Sequence, residues 1–142
     1  MSDHTHKQFD AEMEEIRSGV LAMGGLVETQ LTRAIDALKH PDNIDLIASV
    51  AADERAINQM QVSIDQQCSQ IIAKRQPAAI DLRMILTITK IVNDLERVGD
   101  EVKKVAYKAA QTRGSDRLTE VRHFDVARTA MHAAPSENTD AA

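Results

Sequence analysis

The stretch ILTITKIVNDLERVGDEVKKVA, residues 85–106, decides how this chain folds. Ile85, Ile88, Val92, Leu95, Gly99, Val102 and Ala106 recur at spacings of three, four, three, four, three and four. A helix of 3.6 residues per turn stacks such positions into one seam, as in coiled coils, whereas a strand would need a period of two. Gly99 falls on the seam, where a missing side chain lets a neighbouring helix touch. The pattern predicts a helix from about Ala78 to Gln111, opened by Pro77, whose ring is pre-set for a first helical turn.

Upstream, the same period returns twice. Phe9, Met13, Ile16, Val20, Met23, Val27, Leu31, Ala34 and Leu38 predict a helix from about Gln8 to Leu38. Gly24 and Gly25 interrupt it, each at about 1 kcal/mol relative to Ala. Because the period continues on both sides, the pair reads as a place where another helix comes close. Pro41 ends this helix, and Asp42 or Asn43 caps the next. Ile47, Val50, Ile57, Ile64, Cys68 and Ile71, with Met60 beside them, predict a second helix from Ile44 to Arg75. Cys68 reads as a packed thiol, since no histidine stands nearby in the sequence to activate it.

Each helix would be about 45 Å long, and both connections are short, so neighbours must run antiparallel. The expected fold is all-α, an antiparallel three-helix bundle over residues 8–112. Residues 1–7 are expected to be disordered. Thr112, Arg113, Gly114 and Ser115 read as a third break, followed by a short fourth helix over 116–132 with Leu118, Val121, Phe124 and Met131. A disordered tail, 133–142, ends the expectation.

Composition narrows the function. Aromatics make up 2 % of the 142 residues, and the net charge is −5. An acidic chain with scattered basic residues has no nucleic-acid footprint. No apolar run approaches the ~20 residues that span a bilayer, and the polar start has no signal core, so the expected location is the cytoplasm. The single cysteine excludes an internal disulfide. His4 and His6 sit in the polar start and read as solvated residues. No nucleophile–base arrangement can be read, and there is no glycine-rich phosphate loop or His-Glu-x-x-His motif, so enzyme activity is not expected.

One cluster could carry chemistry. Glu96 and Asp100 are four apart on the third helix, with Asn93 a turn earlier; Asn58, Gln61 and Asp65 form a similar strip on the second. Facing one another, such oxygen donors could hold a divalent cation. The plainer reading is a solvated face, with Asp100 paired to Lys104 and Arg97 to Glu101. The strip lacks the histidines of di-iron bundles.

Three stretches resemble the PhoU family: Gln8-Phe9-Asp10-Ala11-Glu12 leading to Met23-Gly24-Gly25-Leu26-Val27-Glu28; Ile71-Ile72-Ala73-Lys74-Arg75-Gln76-Pro77 with Asp81-Leu82-Arg83; and Asp94-Leu95-Glu96-Arg97-Val98-Gly99-Asp100. The resemblance covers about residues 8–110. It implies the first of two tandem three-helix bundles and the opening of the second, so the chain reads as a truncated copy or a divergent short form. It also implies metal binding through Glu-x-x-x-Asp motifs. Glu96 and Asp100 match; Gln61 and Asp65 match with Gln in place of an acid, which implies weak binding of magnesium, manganese or iron. The family's role would make this chain a negative regulator of phosphate uptake and phosphate-starvation signalling. Its implied partners are the ATP-binding subunit of the phosphate transporter and the phosphate-sensing histidine kinase. Arg97 and Asp94 are the expected partner contacts, and a homodimer is expected through the face a second bundle would cover. The competing readings are a metal-binding helical bundle and a coiled-coil dimerisation module with no phosphate role.

Overall fold

The computed structural model describes the backbone of residues 2–133 and the side chains of residues 6–112. It contains three helices, α1 (Ser2–Lys39), α2 (Ile44–Arg75) and α3 (Ala79–Ala133). Among the described residues there is no strand. Cross-helix contacts fix the directions. Arg75 meets Glu12 and Arg33 meets Asp53, so α2 runs against α1. Gln30 meets Gly99 and Arg17 meets Met84, so α3 runs with α1.

The turns follow local chemistry. The Leu46 amide donates to the Asn43 side chain at 3.2 Å, which makes Asn43 the cap of α2. At the other end, Gln76 adopts a left-handed conformation with φ of 44° and stops α2. Pro77 stands two residues ahead of α3, not in its first turn, because the Ala78 carbonyl accepts the first bond, from the Leu82 amide at 2.8 Å.

Two boundaries differ from the sequence expectation. α1 begins at Ser2 and not near Gln8. The polar start has no apolar face to bury, but nothing in it breaks a helix. The break expected at Thr112–Ser115 is absent: α3 passes through it unbroken to Ala133, and among the described residues there is no separate fourth helix. Gly114 weakens a helix without ending it, and the prolines that would end one, Pro77 and Pro135, lie outside α3. The expected tail from Ala134 onward lies outside the described residues.

The core is the expected seam with two exchanges on α1, Gln30 for Leu31 and Ala37 for Leu38, which is 43 % exposed. Met13, Ile16, Met23, Val27, Ile57, Ile64, Cys68, Ile71, Ile85, Ile88 and Val92 form one buried cluster, and Ala34, Val50 and Ala106 form a smaller one. Between them, at the place the stripe gave to Leu31, sits Gln30. Leu31 is 46 % exposed and Gln30 is fully buried. The Gln30 Nε2 donates to the Val50 carbonyl at 3.3 Å and to the Gly99 carbonyl at 3.1 Å, so one α1 amide holds α2 and α3 together. Its Oε1 has no partner.

Glycine usage divides the same way. A Cβ on Gly99 would stand 3.2 Å from both Gln30 Oε1 and Ile57 Cδ1, so this glycine is fixed by close packing. Gly24 and Gly25 are the reverse of what their sequence implied: a Cβ there would meet nothing within 4 Å.

Three outcomes follow for thermal or denaturant unfolding. Gly25→Ala should stabilise by about 1 kcal/mol, the propensity gain alone, while Gly99→Ala should destabilise by about 1–2 kcal/mol because Gln30 and Ile57 have no room to give. Gln30→Glu replaces both donated protons with a buried charge and should cost about 3 kcal/mol or more at neutral pH. Acid should restore part of that loss by protonating the carboxylate. Equal stability of the Gln30→Glu and parent proteins at neutral pH would refute the clamp.

Candidate functional site

The acidic and amide residues singled out in the sequence lie along the α2–α3 side of the bundle. Their register can be read from contacts. Gln61 Nε2 donates to Asn93 Oδ1 at 2.8 Å, and Lys103 Nζ reaches Glu54 at 3.5 Å. Paired numbers across this antiparallel interface therefore sum to about 155. On that register Gln61 stands level with Glu96, but Asp65 lies beside residues 89–92. At 1.5 Å per residue, Asp65 and Asp100 are separated by about 12–16 Å along the groove.

A single magnesium or manganese ion draws ligands to within about 2.2 Å. Gln61, Asp65, Glu96 and Asp100 cannot meet around one, and no group of three or more His, Cys, Asp or Glu among the described residues is placed to do so. The separate environments point the same way. Asp100 is engaged by Lys104 at 2.9 Å. Glu101, expected to pair with Arg97, is held instead by Lys104 at 3.2 Å. The Gln61 amide is committed to Asn93. Asp65 is alone: its Oδ1 is buried without a hydrogen-bond partner, and burial raises its pKa above the usual aspartate value. Nearby, burial likewise pushes the Cys68 thiol up, with the Thr89 hydrogen bond opposing and Asp65 adding to the effect. Cys68 is a buried core thiol.

Other polar contacts were not read from the sequence. Asp53 and Glu54 are buried. Arg33 Nη1 grips both Asp53 oxygens at 2.7 and 2.8 Å, and Asn58 donates to Glu54 at 2.8 Å. The signal was present: position 54 falls on the apolar stripe between Val50 and Ile57, where an acid must find partners. At the far end of the bundle, Arg75 donates to Glu12 at 2.9 Å and to Gln8 at 3.0 Å. The Arg75 hydrogen bond lowers the Glu12 pKa, against the opposing effect of burial. This joins two of the stretches that carried the resemblance. Arg97 and Asp94, the expected partner contacts, are both exposed on the outer flank of α3.

Long helices, a polar α2–α3 side and charged outer faces define an all-helical bundle. Comparison with known proteins gives the class its family. The PhoU domain model matches residues 20–109, and the chain belongs to the PhoU family. It is 50 % identical over 111 residues to the phosphate-specific transport system accessory protein PhoU homolog of Pseudomonas putida, covering 78 % of this chain and 43 % of the relative. The corresponding figures for the PhoU of Escherichia coli K12 are 44 % identity, 78 % and 46 %. The crystal structure of PhoU from Pseudomonas aeruginosa superposes with a TM-score of 0.68 at 51 % identity, over 72 % of this chain and 49 % of that one. The chain spans about half the length of the curated relatives it matches. No helix among the described residues is long and apolar enough to cross a membrane.

The lone carboxylate gives a testable sign. A raised folded-state pKa means ionised Asp65 costs stability in full above that value, and the cost vanishes below the lower value of an aspartate in the unfolded chain. Asp65→Asn should therefore raise the melting temperature at neutral pH, and the gain should shrink to nothing as the solution is acidified. A lower melting temperature for Asp65→Asn at neutral pH would mean that the carboxylate has a partner.

Proposed function

We propose that this chain is a regulatory docking module of a phosphate transport system. It restrains phosphate uptake and phosphate-starvation signalling by binding the transporter's ATP-binding subunit and the phosphate-sensing histidine kinase. The observation that supports this reading is the identity, 50 % over 111 residues, with an accessory protein of phosphate-specific transport. The physical form agrees. Helices joined by ion pairs to partly or fully buried acids hold a fixed charged surface, and the candidate residues lack the nucleophile–base pairing that catalysis would need. Direct capture of phosphate by the acidic α2–α3 side would be repulsive, so recognition of protein surfaces is the economical reading. A four-residue metal centre on Gln61, Asp65, Glu96 and Asp100 has no part in it.

The test has two arms. The purified chain should bind the immobilised ATP-binding subunit or the sensor kinase saturably, with a Kd of about micromolar or tighter. Expressed in cells that lack their own PhoU, it should lower a phosphate-starvation reporter at high phosphate. Failure to bind either partner, with the helical circular dichroism intact, would reject the reading.

A further inference from the structure

Arg17 of α1 gives one of its protons to a poor acceptor. Its Nη2 donates to the thioether sulfur of Met84 on α3 at 3.3 Å. A thioether accepts hydrogen bonds weakly, so a charged donor gains little from it. Among the described residues, the one ion pair of Arg17 is with Glu14 on its own helix, at 3.7 Å. The guanidinium thus joins two helices, across 67 residues of sequence, with a donor stronger than its acceptor.

Met84 also differs from the other methionines whose side chains are described. Met13 and Met23 are buried in the core, and Met60 is partly buried against it. Met84 is 38 % exposed and lies outside the buried cluster. An oxidant dissolved in water must touch the sulfur to react, so it meets Met84 first. We propose that Met84 is a site of reversible oxidation by peroxide, and that Arg17 receives the new sulfoxide oxygen and so ties α1 to α3.

The chemistry balances with hydrogen peroxide alone. The sulfur lone pair attacks one peroxide oxygen. The S–O bond forms as the O–O bond breaks, and the second oxygen takes the proton of the first and leaves as water. Sulfur gives up two electrons and the peroxide accepts them. The sulfoxide oxygen carries partial negative charge, which suits a guanidinium as the thioether did not. Arg17 is half exposed and the Met84 side chain is unbranched, so both can shift to the ~2.7–2.9 Å of a charge-assisted hydrogen bond. In a core, a sulfoxide disrupts packing. At Met84 the oxygen stays near water, and its partner is in place before oxidation.

The intact chain supplies the test. Dilute hydrogen peroxide, followed by peptide mass spectrometry, should add one oxygen to Met84 several-fold faster than to Met13, Met23 or Met60. Methionine sulfoxide reductase should remove it. After peroxide, the parent should melt about 2–4 °C higher relative to an equally treated Met84→Leu variant than it does before treatment. That comparison cancels oxidation at every other methionine. Arg17→Ala should abolish the rise, and Arg17→Lys should keep part of it. Met84→Gln, whose amide oxygen stands in for the sulfoxide, should raise the melting temperature without peroxide, and only with Arg17 present. Oxidation of Met60 as fast as Met84, a rise that survives Arg17→Ala, or no rise relative to Met84→Leu would each overturn the proposal, whatever the outcome of transporter binding.

Discussion

The bundle depends on one side-chain amide. Gln30 is fully buried among the three helices, and it gives its two protons to carbonyls on different neighbours, Val50 on α2 and Gly99 on α3. Apolar packing holds helices together but lets them slide, because one methyl contact resembles another. A buried amide does not permit that: shifting either neighbour by a residue would strand a donor in a dry interior, at a cost of about 1–3 kcal/mol. The clamp also explains its surroundings. Gly99 must be bare so that its carbonyl can approach, and Ile57 fills the remaining space.

Around that point, polar pairs fix the ends. Arg33 on Asp53 and Lys103 on Glu54 bind the region near the α1–α2 turn, while Arg75 on Glu12 binds the region near the α2–α3 turn. Each joins elements distant in sequence through a partly buried acid. The apolar core between them supplies the cohesive energy, and the polar contacts set the register. A surface that must meet partners in one orientation needs this second property more than extra stability.

Much of this was legible beforehand, and the errors share a cause. The spacing of Ile85 to Ala106 gave the third helix and its buried face, and Pro41, Asn43 and Pro77 marked the turns. The misreadings came from treating hydrophobicity as the sole determinant of burial. The buried positions Met23, Val27, Gln30, Ala34 and Ala37 keep the strict alternation of four and three, whereas choosing Leu31 and Leu38 for their apolar side chains put two steps of four in succession. Gly24 and Gly25 resembled a close approach because Gly99 is one, yet only three-dimensional neighbours separate the two cases. For the candidate site, four-residue spacing placed Glu96 with Asp100 and Gln61 with Asp65, but spacing within a helix says nothing of the offset between helices. That offset, set by the contacts of Gln61 and Glu54, moved Asp65 away from Asp100.

The two tight turns carry a kinetic consequence. Nearly all contacts of α2 are with helices adjacent in sequence, so either hairpin, α1 with α2 or α2 with α3, can close over a short loop at little entropic cost. Contacts between α1 and α3, such as Gln30 with Gly99, span 69 residues and gain most from waiting until α2 is in place. Such a chain has low contact order and belongs with rapidly folding helical proteins. Either hairpin can serve as the nucleus, and the amide that secures the finished bundle engages both neighbours only as the last helix docks.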